Sequence, residues 1–298
     1  KLQAPAQVRP AGEFLPEFSF GATEGQDWKD LSPRLGAAYD LFGNGKTALK
    51  VSLGRYVLSE GLGIFTQSKV SALSLSTTRT WNDTNANFAP DCDLKSALAN
   101  GECGAMDNRS FGLPTAITQW SDEALAGWHN RPYTRQVSGS IQHELSANTA
   151  LTVGYYRTSY GNFRVTQNRA LTPADFTSYC VALPADARLP GGGGNQLCGL
   201  YDVSPAKFGQ VSNLVTQASD FGRQTQVYNG LDVSLNARFS FGVRLAGGGS
   251  VGRTTSDACE IATTHPEIVT TVSAFALGRA GASAEFCRNK APLSNETF

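Results

Sequence analysis

Five oxygen-bearing side chains in one short stretch have a spacing that resembles a calcium-binding loop. In such a loop, oxygen ligands at the first, third, fifth and ninth positions surround a Ca²⁺ ion. Here the sixth position, normally glycine, is Phe88, and the twelfth, normally glutamate, is Leu94. The sequence therefore leaves two interpretations open: a weak extracellular Ca²⁺ site, or a turn rich in Asn and Asp that needs no metal. The candidate ligands are Asp83, Asn85, Asn87, Asp91 and Asp93.

Two glycine-containing motifs resemble signatures of nucleotide binding and catalysis, but neither has the context that its chemistry requires. Residues 45–47 (Gly-Lys-Thr) resemble the end of a phosphate loop, yet Asp40 stands where the earlier glycine belongs, and a strand follows. Residues 248–252 match a nucleophile elbow, which needs a helix after its serine, whereas a strand pattern continues to Arg253. No paired carboxylates and no Ser/His/Asp grouping can be assembled. We therefore expect that the protein is not an enzyme.

The six cysteines fall into three consecutive pairs, each within one long segment that has no strand pattern. Pairing loop by loop is the simplest of the fifteen connectivities that six cysteines allow, and it indicates an oxidising compartment such as a cell surface. Buried free thiols are the alternative. A zinc site is disfavoured because the sequence has no Cys-x-x-Cys and its three histidines are scattered. The predicted pairs are Cys92 with Cys103, Cys180 with Cys198, and Cys259 with Cys287.

The composition excludes some classes of protein and leaves others open. The 298 residues include 25 basic and 25 acidic side chains, so net charge gives no argument for nucleic acid as a partner. Charged residues make up only 17% of the chain and glycines number 31, which suits β structure with long loops. The sequence has no run of 18 or more apolar residues and therefore predicts no transmembrane helix. Membrane β-strands carry a much weaker signal and stay open.

The loops that carry the candidate residues must be held by regular elements, and the clearest of these is a hairpin at residues 32–56. It consists of two alternating runs around a Gly-Asn-Gly turn. Asn and Gly accept the positive φ values of tight turns. Because side chains in a strand alternate between faces, Leu49, Val51 and Leu53 share one face and Lys50 the other. Each arm has about 10 residues, the length of a tilted strand that crosses a bilayer.

The same unit recurs twice along the chain. Further hairpins are predicted at residues 133–158 and 224–254. Long segments without alternation follow each hairpin, at about 57–131, 159–223 and 255–298, far beyond the four to six residues usual for a loop in a compact domain. One end of the predicted sheet therefore has short turns and the other end long loops, an asymmetry typical of outer-membrane barrels.

The chemistry of the two faces agrees with a membrane barrel that has lipid outside and water inside. Aromatic side chains near both ends of the arms predict two interfacial girdles; they are Phe42, Phe239 and Phe241 by the turns, and Tyr56, Tyr155, Tyr156 and Tyr228 toward the loops. The alternative is a soluble β-sandwich whose apolar face is buried. The side chains predicted to line the wet interior are Lys50, Gln142, Glu144, Asp232, Asn236 and Arg238.

Six strands are too few to close a membrane barrel, for which eight is the smallest number known. An open edge in lipid would leave backbone groups unpaired. No signal peptide opens the sequence. We therefore expect residues 1–298 to be one part of a longer barrel, an all-β antiparallel transmembrane β-barrel fragment of about six strands with disulfide-bearing extracellular loops.

Several segments between Trp28 and Cys287, which together span most of the chain, carry a resemblance to a known family. The sequence resembles the barrels of Oar-like TonB-dependent receptors, which are large outer-membrane proteins. The resemblance is specific in the order and spacing of its segments rather than in any one motif. The matching segments are residues 28–47 (Trp-Lys-Asp-Leu-Ser-Pro-Arg-Leu-Gly and onward), 54–56 (Gly-Arg-Tyr), 81–83 (Trp-Asn-Asp), 131–133 (Arg-Pro-Tyr), 142–145 (Gln-His-Glu-Leu) and 199–203 (Gly-Leu-Tyr-Asp-Val).

The resemblance implies a barrel of about 22 strands, an N-terminal plug, and energy passed to the plug from the inner-membrane TonB complex. It implies no catalytic residues. Expected partners are outer-membrane lipid, the TonB complex and a bulky extracellular nutrient, either carbohydrate-like or a metal chelate, but not nucleic acid; no cofactor is expected apart from Ca²⁺ in the loop at 83–93. A surface adhesion barrel without transport and a soluble secreted ligand-binding β-domain remain as alternatives. Candidate side chains for stacking on the ligand are Trp81, Trp120, Trp128 and Tyr201.

Overall fold

The chain folds mainly into antiparallel β-strands. A computed structural model describes residues 3–61, 74–109, 111–112, 118–188, 192–270, 287–291 and 294–297. The chain divides into two compact units, Lys1–Asp27 with Glu60–Trp120, and Trp28–Ser59 with Ser121–Phe298. None of the helices in the described ranges is long and apolar enough to cross a membrane.

The strands differ widely in length, from two residues to fourteen. In chain order they are β1 (Gln3–Ala4), β2 (Gln7–Arg9), β3 (Phe18–Phe20), β4 (Thr23–Glu24), β5 (Asp27–Lys29), β6 (Arg34–Asp40), β7 (Thr47–Val57), β8 (Gln119–Trp120), β9 (Ala126–Trp128), β10 (Tyr133–Ser146), β11 (Thr149–Gly161), β12 (Arg164–Asn168), β13 (Phe176–Ala182), β14 (Gln196–Val203), β15 (Asn213–Gln217), β16 (Thr225–Arg238), β17 (Arg244–Asp257), β18 (Ile268–Thr270), β19 (Arg288–Lys290) and β20 (Ser294–Thr297). The helices are α1 (Asp122–Leu125) and α2 (Cys259–Thr264), with 3-10 turns at Pro173–Asp175, Pro205–Lys207 and Ala218–Asp220.

Six long strands form one sheet in the order in which they follow each other along the chain: β6, β7, β10, β11, β16 and β17. Every neighbouring pair is antiparallel. The three predicted hairpins are therefore confirmed, with arms at 34–57, 133–161 and 225–257. In the described part of the chain this sheet runs on into the short strands β19 and β20 beside β17 and does not close on itself.

Short turns join the strands at one end of this sheet. The β6–β7 turn has six residues and the β10–β11 turn has two, while β16 and β17 are joined by five. Asp40 stabilises the first turn, because its carboxylate accepts hydrogen bonds from the backbone amides of Phe42 and Gly45. At the third turn the rings of Phe239 and Phe241 stack with their centroids 5.4 Å apart. Aromatic side chains thus lie at the turn end, as predicted.

The register places apolar residues of all six strands on one face. One cross-strand row reads Tyr39, Leu49, Ile141, Val153, Val233 and Gly249. Its large side chains are 37% to 65% exposed, so no second layer formed by the described residues buries them. A soluble sandwich would bury this face, whereas a membrane barrel presents it to lipid. The fold is therefore that of a transmembrane β-barrel sheet.

The prediction of a tyrosine girdle at the loop end was wrong for three of its four residues. Tyr155 lies on the apolar face, but Tyr56, Tyr156 and Tyr228 have the opposite parity and lie on the polar face. Their rings lie over glycines of that face, such as Gly54 beneath Tyr56. Proximity to the strand ends suggested a girdle, but the alternation of side chains decides which face a residue occupies.

The segment 159–223, expected to be a loop without strands, contains four strands. Strands β13 and β14 form a hairpin that the Cys180–Cys198 disulfide crosslinks. Strand β12 pairs with β15 on one side and with β18 on the other. Strands β12 and β15 escaped detection because they are short and bury residues locally rather than along one long alternating face, whereas β13 and β14 are short and exposed or half-buried. Beside β12 lies a small local core. That core contains Phe163, Val165, Ala218, Ile261 and Ile268.

Candidate functional site

The polar face of the six-stranded sheet gathers the six side chains predicted to line the interior. Lys50 and Asp232 lie in one cross-strand row, with Ser140, Gly154 and Ser250. The Lys50 ammonium donates a 2.8 Å hydrogen bond to the Gln142 side-chain oxygen on the neighbouring strand. Such a face suits water rather than lipid. The residues on it are Lys50, Gln142, Glu144, Asp232, Asn236 and Arg238, and their role as a lumen wall stays a prediction.

A polar cavity of about 750 Å³ lies at the turn end of this face. Five of the six predicted interior residues line it, all but Asp232. The lining carries four cationic groups and one carboxylate, so the wall is basic at this end; these groups are Lys46, Lys50, Arg238, Arg244 and Glu144.

The long loop of the first unit is organised around the carboxylate of Glu102. This carboxylate accepts hydrogen bonds from the Thr84 hydroxyl (2.5 Å) and amide (2.8 Å), from the Trp81 indole N–H (3.2 Å) and from the Asp91 amide (3.3 Å). These donors stabilise the charged form and lower the pKa of Glu102 to about 2. The adjacent Cys103 is buried and forms the predicted disulfide with Cys92.

The Arg79 side chain links several backbone segments of the same loop, between residues 93 and 104. Its guanidinium donates to four backbone carbonyls: to Gly104 twice, at 2.7 and 2.8 Å, to Leu98 at 3.0 Å, to Ser96 at 3.1 Å and to Asp93 at 3.3 Å. One planar cation with five N–H donors can satisfy several carbonyls at once. This loop is therefore an ordered structure that holds Trp81 in place.

The candidate Ca²⁺ ligands lie together in this loop, but their oxygens already accept hydrogen bonds. Asp91 Oδ2 accepts from the side-chain amides of Asn85 (2.6 Å) and Asn87 (2.9 Å). The Asp83 carboxylate accepts from the amides of Asn87 and Phe88. Within the described ranges, no three His, Cys, Asp or Glu side chains are arranged to hold a metal ion. The Ca²⁺ site stays a prediction.

The four aromatic side chains proposed for stacking are held by separate local contacts. Trp81 and Trp120 belong to the first unit, and Trp128 and Tyr201 to the second. Trp81 is 44% exposed and Trp128 is 60% exposed, which leaves ring surface for a ligand. The Tyr201 hydroxyl donates to the Thr263 carbonyl at 3.4 Å. Their role in binding stays a prediction.

The sequence did not single out the cluster around Trp28 at the loop end of the second unit. The guanidinium carbons of Arg131 and Arg164 lie 5.4 and 5.7 Å from the Trp28 ring centroid. The Trp28 indole donates to the Ala124 carbonyl at 3.1 Å, and Arg131 forms a 2.7 Å ion pair with Asp30. Over a hundred residues separate Trp28 from its two cationic neighbours, so no local pattern could have revealed it. The contacts anchor the segment before β6.

All three predicted disulfides are present. The sequence separations are 11 residues for Cys92–Cys103, 18 for Cys180–Cys198 and 28 for Cys259–Cys287. All of them lie outside the six long strands. The first disulfide thus belongs to the first unit and the other two to the second, and each lies in a segment that follows one of the hairpins along the chain.

Comparisons with known proteins agree with this arrangement. A family model described as an outer membrane beta barrel domain matches residues 11–248, which is most of the chain. The match begins before β6 and ends within β17, and it includes the first two disulfides. No curated protein and no solved structure matches the chain.

Proposed function

The chain belongs to the outer membrane β-barrel domain family, and from that premise we propose that it forms part of a TonB-dependent receptor. Its location is the outer membrane. The proposed work is to bind a bulky nutrient with the long loops and to import it through a plugged barrel. The proposal of TonB dependence rests on the sequence resemblance to Oar-like receptors.

The observation that supports a receptor most strongly is the contrast between the two ends of the sheet. Turns of two to six residues join the strands at one end, while the segments that follow each hairpin along the chain carry disulfides and hydrogen-bonded structure of their own. Long loops that are ordered in this way are usually functional. A barrel that only anchors or spaces other parts has no need of them. The ordered loops are therefore the surface to which we assign ligand binding.

Exposed aromatic rings on those loops favour a carbohydrate-like ligand or an aromatic metal chelate. The Trp81 ring is fixed through its indole N–H to Glu102, and the ring of Trp128 is more than half exposed. Fixed aromatic faces supply large contact area at little cost in conformational entropy. We propose these two side chains as the first contacts to test.

The polar face supports transport rather than adhesion alone. A plug inside the barrel needs a wall that offers hydrogen-bond partners, and this face carries lysine, arginine, carboxylate and amide groups from four strands. The basic cavity at the turn end faces the side from which a plug and the TonB complex would act. We propose a binding and transport role without catalysis.

The experiment is an uptake assay with a strain that lacks the full-length gene. Panels of oligosaccharides and of ferric chelates would be supplied as sole carbon or iron source, with and without a protonophore. We expect growth on one ligand to require both the gene and the energised inner membrane. Binding to cells without energy-dependent uptake would contradict transport and favour the adhesion alternative. A matched pair of variants, Trp81→Ala and Phe88→Ala, then separates a specific ring contact from a general effect on the loop.

A further inference from the structure

Four arginines lie on the apolar face of the six-stranded sheet, and all of them lie at its loop end. They are Arg55 on β7, Arg135 on β10, Arg157 on β11 and Arg253 on β17. Nearer the turns, the same face is a band of Leu, Val, Ile and Tyr that lies against lipid. The arginines therefore border the apolar band on one side only.

The register fixes how these arginines lie relative to one another. Arg55 and Arg135 are directly opposite each other on neighbouring strands. One row closer to the apolar band, Arg157 is opposite Asn229, which is opposite Arg253. Since strands are about 4.8 Å apart, the α-carbons of Arg157 and Arg253 are roughly 10 Å apart. Like charges placed opposite each other on a sheet destabilise it unless something neutralises them.

Within the described ranges, acidic side chains do not neutralise this group of arginines. Asp257 is the only carboxylate that the six strands place on this face, and it forms a 2.7 Å ion pair with Arg288. Asn229 contributes a neutral oxygen that accepts from the Arg157 guanidinium (3.0 Å) and from the Tyr155 hydroxyl (2.7 Å). Among the residues that the structure describes, no carboxylate contacts Arg135, Arg157 or Arg253.

The four arginines differ in how many contacts they make with other groups of the protein. Arg55 donates to the Leu31 carbonyl at 2.9 Å, contacts His129 and lies over the Tyr133 ring, so it serves the protein itself. Arg135 is exposed and its ring contact, with Tyr133, is 5.8 Å long. Arg253 is half-buried and its guanidinium has no hydrogen-bond partner within the described part of the chain; because its Nε is buried, its two terminal nitrogens are the donors that remain for an external group. Three guanidinium groups, those of Arg135, Arg157 and Arg253, therefore keep donors for an external anion.

We propose that Arg135, Arg157 and Arg253 form an outward-facing site for the phosphorylated headgroups of lipids in the outer leaflet. Loops of tens of residues lie on the outer side of such barrels and short turns on the periplasmic side. The arginines border the lipid-facing band on that outer side, at the depth of the headgroups. Long cationic side chains there keep their stems against apolar surface and their charges in the headgroup layer. A guanidinium binds phosphate through two parallel N–H donors, which a lysine ammonium does not do.

The experiment measures lipid binding to the full-length protein purified in a non-ionic detergent. The probes are bisphosphorylated lipid A, the same lipid after enzymatic dephosphorylation, and inorganic phosphate. The test variant carries Arg135→Gln, Arg157→Gln and Arg253→Gln together. Its control carries Lys50→Gln, Arg238→Gln and Arg244→Gln, which removes three cations from the opposite face of the same sheet.

We expect the phosphorylated lipid to bind the unchanged protein and the control variant alike. Affinity should fall by about fivefold for each outward arginine removed and by about 100-fold for all three. The three single Gln variants keep the test valid if the triple variant does not fold. Equal binding by the triple variant, or equal binding of the dephosphorylated lipid, would overturn the proposal. Displacement of the lipid by inorganic phosphate at similar concentration would also overturn it, because the site would then recognise a free anion.

Discussion

The ring of Tyr228 on β16 lies against the α-carbon of Gly252 on β17. A methyl group built on Gly252 would stand 2.7 Å from Cε2 and Cζ of the ring. The same ring covers Gly230 on its own strand, and both glycines are buried on the polar face. These glycines are needed for space rather than for an unusual φ. The two glycines are register partners, directly opposite each other on β16 and β17, so the one ring covers both.

Replacing Gly252 by Ala should therefore destabilise the sheet. We expect a loss of about 1–3 kcal/mol, the usual range for overpacking a filled site. The measurement is the temperature at which heat-modifiable gel mobility is lost, supported by urea unfolding in lipid vesicles. Gly139→Ala is the matched control, because nothing lies within 4 Å of a methyl group there. If Gly252→Ala costs as much in a Tyr228→Ala background, the ring contact is not the cause.

Arg79→Lys should open the loop of the first unit. Lysine keeps the charge but cannot reach the four carbonyls that the guanidinium holds, so the local opening free energy should fall by about 2–3 kcal/mol. Hydrogen–deuterium exchange of residues 93–104 would report it. Arg188→Lys is the control, since that exposed side chain pairs with Asp186 only two residues away. Unchanged protection in Arg79→Lys would show that the disulfide alone orders the loop.

Removal of the Cys180–Cys198 disulfide should melt the β13–β14 hairpin without affecting the six-stranded sheet. An isolated two-stranded hairpin is marginal in water, and closing a loop of this size contributes about 3 kcal/mol. We expect limited proteolysis to cut the double Ser variant between residues 183 and 195. Heat-modifiable mobility should stay as in the unchanged protein. The corresponding variant of Cys92 and Cys103 controls for loss of a disulfide as such, and faster cutting in both at 183–195 would contradict a local effect.

The hairpins were predictable from the sequence because each has a period of two over ten residues or more. Leu49, Val51 and Leu53 reveal their shared face without any knowledge of the neighbouring strand. The same alternation places Tyr156 on the face of Gly154, but its position near the strand end suggested an interfacial girdle instead. Periodicity was the more reliable signal, because a single register shift would move every side chain to the other face.

The loop structures were not predictable because their stabilising contacts join residues far apart in the chain. Trp28 meets Arg131 and Arg164, and Glu102 meets Thr84, without any repeating pattern. The cysteines were the exception, since sharing a long segment limited their choice of partner. The arginines on the apolar face were only partly predictable from the sequence. Each is visible in the sequence, but only the register shows that Arg55 is opposite Arg135.

Calcium binding at the loop of residues 83–93 is testable by titration with CaCl₂. The side-chain amides that donate to Asp91 must turn away before Ca²⁺ can bind. We therefore expect weak binding, with a dissociation constant on the order of 10⁻⁴–10⁻³ M, as in extracellular modules. Isothermal titration calorimetry would measure it, and Asp91→Asn should abolish the heat. Identical heats for Asp91→Asn and the unchanged protein would exclude this loop as the site.

Acid should loosen the loop of the first unit through Glu102. Its pKa is lowered from 4.5 to about 2, first by the Thr84 hydroxyl and then by the Thr84 amide. Because the folded pKa lies below the unfolded one, the stabilisation is complete above about pH 4.5 and is lost as the pH falls towards 2. The Thr78 hydroxyl and amide also lower the pKa of Asp107, which acts in the same direction. Protection factors for residues 81–104, corrected for intrinsic exchange, should fall across this window.

Glu102→Gln should show weakened protection already at neutral pH and a smaller further change on acidification. The control variant Asp186→Asn should behave like the unchanged protein in this loop. A pH response of Glu102→Gln as large as that of the unchanged protein would assign the effect to another group.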